Sequence, residues 1–152
     1  MHFPNRYFVL IPLTAAIGVL SISCAESKVS QCNKIIQVAN QAVSEAKAVT
    51  QGGQVSDPQA MLKAAESMEK ASQEMEAIQV KDAKLQDYQA GFITMYRDTS
   101  KATRDFVTAF QKKDRSTAEA ALTKLQQATT PEKQLVQDIN TYCSGQGTQK
   151  RS

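Results

Sequence analysis

Apolar residues recur three and four positions apart along four stretches of this chain, the spacing that lines one face of an α-helix. The first stretch, residues 28–51, presents Val29, Cys32, Ile36, Ala39, Val43 and Ala46, flanked by Ile35, Ala42 and Val49. It stops at Gly52-Gly53, a strong helix terminator. The second opens at Asp57-Pro58: Asp57 can accept from free N–H groups of the first turn, and Pro58 suits a position whose N–H has no partner. Its stripe is Met61, Ala65, Met68, Ser72 and Met75, with Leu62 and Ile78 beside it. A turn is expected over residues 79–82, with Asp82 as the cap of the next helix.

The third stretch, residues 83–112, is the most regular. Leu85, Tyr88, Phe92, Met95, Thr99, Ala102, Phe106 and Ala109 alternate steps of three and four. Gly91 lies inside it, at a cost of about 1 kcal/mol relative to alanine. The fourth begins at Ser116, with Glu119 completing a capping box, and carries Ala118, Ala121, Leu122 and Leu125. Thr130-Pro131 predicts a kink or a restarted helix, after which Leu135, Val136, Ile139 and Tyr142 continue the face to Cys143. No β-branched run alternates with period two, and residues 146–152 read as a disordered tail. Four helices joined by short turns predict an all-α, up-and-down antiparallel four-helix bundle over residues 28–145.

The N-terminus is patterned differently. Arg6 precedes the apolar run YFVLIPLTAAIGVL from Tyr7 to Leu20, followed by Ser21, Ser23 and Ala25. That is the layout of a secretory signal over residues 1–23. The run is short for a transmembrane helix, which needs about 20 apolar residues, so an uncleaved anchor is the poorer reading. Leu20-Ser21-Ile22-Ser23-Cys24 resembles the lipobox of bacterial lipoproteins, in which the cysteine becomes the lipid-modified first residue of the mature chain. It departs from that pattern in placing Leu20 four residues before Cys24 instead of three. Lipidation would account for an odd third cysteine and leave residues 24–27 as a short tether; the alternative is ordinary cleavage after Ala25. Several acyl chains on Cys24 would give stable membrane attachment.

Export also bears on the other two cysteines. In an up-and-down bundle the start of the first helix and the end of the fourth lie at the same end, where Cys32 and Cys143 fall. An oxidising compartment permits a Cys32–Cys143 disulfide, and the alternative is two unrelated buried thiols.

Charge and chemistry exclude more than they assign. Lys and Arg number 18 against 15 Asp and Glu, interspersed along the chain, so nothing predicts a nucleic-acid partner. The only histidine is His2, inside the signal segment, so a mature chain has none. That removes Ser-His-Asp and Cys-His catalysis, the usual zinc sites and His-ligated haem or di-iron centres. No phosphate-binding glycine loop is present, and neither a catalytic residue nor a cofactor is expected.

Three groups invite a site reading. Met61, Met68 and Met75 could suggest a soft-metal site, but seven-residue spacing sets successive sulfurs about 10 Å apart, so core packing is the better account. Glu66, Glu69, Glu74 and Glu76 read as a solvated face, with Glu66 placed to pair with Lys70. Of the aromatic residues, Tyr88, Phe92 and Phe106 belong to the apolar stripe, whereas Tyr96 and Phe110 lie on its flank. Those two could line a ligand cavity or an exposed seam for a partner. Arg97, Lys101 and Arg104, interleaved with Asp98 and Asp105, read as an ordinary wet face.

The stretch from Cys32-Asn33 through Asp57-Pro58, Tyr88-Gln89-Ala90-Gly91-Phe92 and Thr129-Thr130-Pro131-Glu132 to Tyr142-Cys143 resembles small exported proteins and lipoproteins of cyanobacteria. The resemblance implies export and carries over no catalytic or binding residues. In architecture alone the expected bundle looks like the lipid-anchored Q-type extrinsic subunit of photosystem II, with no shared motif. The resulting expectation is a non-catalytic module on a periplasmic or lumenal face, held to the membrane through a lipidated Cys24 and docking a protein partner. The alternative is a carrier or sensor for a small apolar ligand held between helices. A carrier should enclose a cavity lined by Met and Phe; an interaction module should have a filled core and an apolar patch outside.

Overall fold

The computed structural model describes residues 26–49 and 57–145. The signal segment 1–23, Cys24, the Gly52-Gly53 stop and the tail 146–152 lie outside the described residues. Five α-helices follow in order: α1 (Lys28–Val49), α2 (Pro58–Ala77), α3 (Ala83–Gln111), α4 (Arg115–Thr129) and α5 (Glu132–Cys143). They make the expected all-α, up-and-down four-helix bundle, whose fourth member is α4 and α5 in succession. No described helix is long and apolar enough to cross a membrane.

The helix starts follow local chemistry. Asp57 accepts from the Gln59 N–H at 3.0 Å with Pro58 in the first turn, and Asp82 accepts from the Leu85 N–H at 2.9 Å. The fourth helix departs from expectation. Its cap is Asp114, which accepts from both the N–H and the hydroxyl of Thr117, at 3.0 and 2.7 Å, so Ser116 lies already inside the helix. A carboxylate two residues earlier captures the same free amides. At Thr130-Pro131 the helix restarts: proline has no N–H to donate and its ring crowds the preceding turn, so α5 begins afresh at Glu132.

The core gathers Cys32, Ile35, Ala39 and Ala42 from α1, Ala71 and Met75 from α2, Leu85, Phe92, Met95 and Tyr96 from α3, and Ile139 from α5. On α1 the buried face is turned by one position from the expected stripe. Ile35 and Ala42 are inside, while Ile36 and Val43 are half-buried and Val29 is exposed. Both registers share Cys32 and Ala39, so the pattern alone does not separate them. On α3 the buried face is broader than one stripe, because α2 packs on one side and α4 with α5 on the other. Tyr96 is therefore in the core, and Val107 is buried where Phe106 was expected. Met75 and Met95 are buried, Met68 packs against the cluster that holds them, and Met61 is half-buried, as core-packing methionines should be.

Cys32 and Cys143 form the disulfide, with Cα atoms 5.9 Å apart, and join the first helix to the last. Around the bridge the loop between α2 and α3 is tied down by glutamines. The buried Gln31 accepts from the Lys81 N–H at 2.7 Å and the Asp82 N–H at 3.3 Å, and donates to the Glu26 carbonyl. Gln89 donates to the carbonyls of Ile78 and of Met75, the latter also accepting from the Ile78 N–H that closes α2. Gly91 allows α5 to approach α3, since a Cβ there would lie 2.7 Å from a terminal methyl of Leu135.

Candidate functional site

The two ends of the bundle carry different chemistry. At the disulfide end, the Tyr142 hydroxyl donates to both oxygens of the Asp82 carboxylate, at 3.0 and 2.9 Å. Lys28 sits 3.4 Å above the Tyr142 ring, and Tyr88 meets that ring edge-on at 5.9 Å. The Leu85 amide, then the Tyr142 hydroxyl and Lys28, hold the Asp82 carboxyl below the usual carboxylate range. Partial burial, then Asp82, raises the Tyr142 hydroxyl above its ordinary value. Every polar group in this set is engaged with a neighbour within the fold, which describes a structural seam.

The opposite end is built on the α3–α4 hairpin. α3 ends in a turn where Lys113 adopts a left-handed conformation (φ 57°). The Lys113 N–H donates to the Phe110 carbonyl and the Asp114 N–H to the Ala109 carbonyl, both at 3.0 Å, which is the paired closure of a Schellman turn. Asp114 then caps α4, so a single residue ends one helix and starts the next. Its carboxyl is held below the usual range, first by the hydroxyl and amide of Thr117.

This tight reversal lays α4 along α3 and leaves an apolar groove between them. Phe106 and Phe110 stack with ring centroids 6.1 Å apart and an interplanar angle of 22°. Ala118 and Leu122 face them from α4, with Lys113 and Arg115 at the rim, around about 580 Å³ of open space. Phe110 is 58% exposed and Leu122 43%, large values for apolar side chains in one patch. α4 packs substantially on α3 alone, and its only buried residue is Ala121. Neither the core cluster nor the residues packed against it include any from α4. Three further clefts are also surface features: one beside Gly91, Pro131 and Leu135, and two polar ones along the α3–α4 seam.

The expected site residues are thus divided. Cys32 and Cys143 meet, whereas Cys24 lies outside the described residues. Of the two flanking aromatics, Tyr96 is in the core, where burial raises its hydroxyl well above the ordinary range, and Phe110 lines the groove. Phe106, Ala118 and Leu122, expected in the core, line the groove instead. The acidic residues of α2 form a wet face with a changed partner: Lys70 lies near Glu74 (3.5 Å) and Glu45 (3.6 Å) instead of Glu66, and Glu76 reaches Arg97 at 2.6 Å. Lys101 pairs with Asp105 at 2.7 Å. Among the described residues no group of three or more His, Cys, Asp or Glu is placed to hold a metal ion. Comparison of the chain with protein-family models, curated proteins and solved structures gives no match, so the groove has to be read from its own residues.

Proposed function

We propose that this chain is a non-catalytic interaction module of the extracytoplasmic side, tethered to a membrane by a lipid on Cys24. The observation that carries the reading is the apolar groove of Phe106, Phe110, Ala118 and Leu122, lying outside a packed core and open to solvent. A contiguous apolar patch on an otherwise polar surface is the usual mark of a binding face. Three further features support it. A disulfide is chemistry of an oxidising compartment, the signal-like N-terminus ends in a lipobox-like cysteine, and a mature chain has no histidine for acid–base work. The resemblance to cyanobacterial exported proteins points the same way, toward an envelope or thylakoid complex. The carrier alternative asks for an enclosed space lined by Met and Phe, whereas Met75, Met95 and Phe92 belong to one buried cluster.

The test is native mass spectrometry on C-terminally tagged protein released from its own membranes in mild detergent. The reading expects an acylated Cys24 and a second protein retained in fixed ratio. An unlipidated monomer would overturn it, and a retained small molecule would replace it with the carrier.

A further inference from the structure

We propose that the two-residue tether seats the disulfide end of the bundle on lipid headgroups, so that the hairpin end stands about 40 Å out from the membrane. This rests on the lipid at Cys24 in the reading above, and adds which surface of the fold meets the bilayer.

The tether is the first argument. Two residue steps separate Cys24 from Glu26, a reach of about 7 Å at full extension. Glu26 itself is bound into the fold. Its carboxylate accepts from the Ser30 hydroxyl and pairs with Lys34 at 2.8 Å, and its carbonyl accepts from the Gln31 side chain at 2.9 Å. Ser27 adds two contacts to the same turn: its hydroxyl accepts from the Ser30 N–H at 3.2 Å and its carbonyl from the Gln31 N–H at 3.1 Å. Gln31 in turn holds the Lys81 and Asp82 amides, so a lipid on Cys24 is joined with almost no slack to a fixed point of the disulfide end.

Surface chemistry agrees. Val29, 61% exposed, is the large apolar side chain that α1 leaves in solvent, and it lies three residues past Glu26. An anchored surface gains when such a side chain enters the headgroup boundary. Further along, the exposed flank of α1 offers Asn33, Gln37, Asn40 and Gln41, with no large apolar side chain to hold the helix flat on lipid. Charge does not oppose the contact. Lys28, Lys34, Lys81 and Lys84 stand at this end with Glu26, Asp82 and Asp87, a near balance that headgroups do not repel.

Helix length sets the other end. α3 runs 29 residues from Ala83 to Gln111, a rise of about 40 Å. The headgroup layer is only about 5–8 Å deep, so the apolar groove stands well clear of it. A protein partner therefore meets the groove from solution, or projects as far from the bilayer as this bundle does.

The chain has no tryptophan, so a single introduced indole reports a single place. Ala83→Trp, Asn40→Trp and Arg115→Trp, all at exposed positions, put it at the disulfide end, at mid-length and at the hairpin. The full-length acylated chains are reconstituted in phosphatidylethanolamine–phosphatidylglycerol vesicles with dansyl-labelled headgroups, and energy transfer from the indole is read. Transfer should be strong from position 83, weaker from 40 and near background from 115. A 12-residue Gly-Ser insert between Ala25 and Glu26, spanning roughly 20 Å, should cut the transfer from position 83. Equal transfer from all three positions would overturn the proposal, since the bundle then lies flat, and strongest transfer from 115 would invert it. Transfer from 83 that the insert leaves unchanged would also overturn it, by removing the tether as the cause. Each of these results leaves the lipid on Cys24 standing. Chains that carry no acyl group and do not float with the vesicles remove the tethered-module reading itself, and the proposal with it.

Discussion

The bundle is held differently at its two ends. At the disulfide end, four of the five helices share one buried cluster, the α2–α3 loop is bound by Gln31 and Gln89, and Tyr142 is fastened to Asp82. At the hairpin end, α4 leans on α3 alone and places Phe110 and Leu122 in solvent. Side-chain size marks the contrast. Phe92, Ile35, Met75, Leu85 and Ile139 fill the first end, whereas Val107 is buried with Ala102, Ala109 and Ala121 toward the second. Stability is concentrated where the chain closes on itself, and apolar surface is left available where it turns back. Regions that bind others are generally drawn from the less stable part of a fold.

The largest test of this contrast is the bridge. The disulfide closes a separation of 111 residues, so Cys143→Ser should lower stability by about 5 kcal/mol through loop-closure entropy. Urea unfolding should show it, and reductant should destabilise the parent chain by a similar amount while leaving the variant unchanged. One substitution made at both ends comes next. Leu85→Ala, in the fully buried cluster, should cost roughly 2–5 kcal/mol. Leu122→Ala, at 43% exposure, should stay within about 0.5 kcal/mol. Equal costs in urea titrations would erase the distinction drawn here. Smaller still, Lys113→Gly should stabilise by roughly 0.5–1 kcal/mol, because glycine adopts the left-handed conformation without its steric cost. Thermal melts of the two chains would show it as a rise in Tm.

The acid response offers the finest comparison. Asp82 and Asp114, one at each end, are both held below the ordinary carboxylate range. A lowered native pKa means that the unfolded chain binds more protons below about pH 4, near the ordinary aspartate value. The stability these groups supply is therefore complete above that pH and is lost as pH falls through their native values. Asp82→Asn and Asp114→Asn should each flatten part of the decline in stability below pH 4, read from urea midpoints. The Tyr142 hydroxyl, raised in the native state, acts in the other direction: its share is present below about pH 10 and fades as pH rises further.

Much of this fold was legible in the residues. Asp57 and Asp82 are caps because a short acceptor precedes a helical period, and the Cys32–Cys143 pairing follows from topology. Three features were not legible, for separate reasons. The α1 stripe offers two faces one position apart, and only packing against the other helices decides for Ile35 over Ile36. At the hairpin, Asp114 and Ser116 are both competent caps, and the left-handed Lys113 leaves no trace in residue type. The groove was hidden because Phe106 and Leu122 keep helical spacing with core residues. Periodicity reports that a face is apolar, not whether a neighbour in the same chain covers it. Gln31 shows the converse: a polar residue beside Cys32 is buried because loop amides 50 and 51 residues away need an acceptor.

The position of the bridge also determines how the molecule bears a mechanical load. Cys32 lies in the first turns of α1 and Cys143 ends α5, so tension applied between the two ends of the described chain passes from one sulfur directly to the other. The helices between them carry almost none of it. In a pulling experiment the oxidised protein should lengthen only by the few residues outside the bridge, and the groove at the far end should keep its shape under strain. After reduction the same force would run through the whole bundle, and its unfolding rate would set how long that shape lasts.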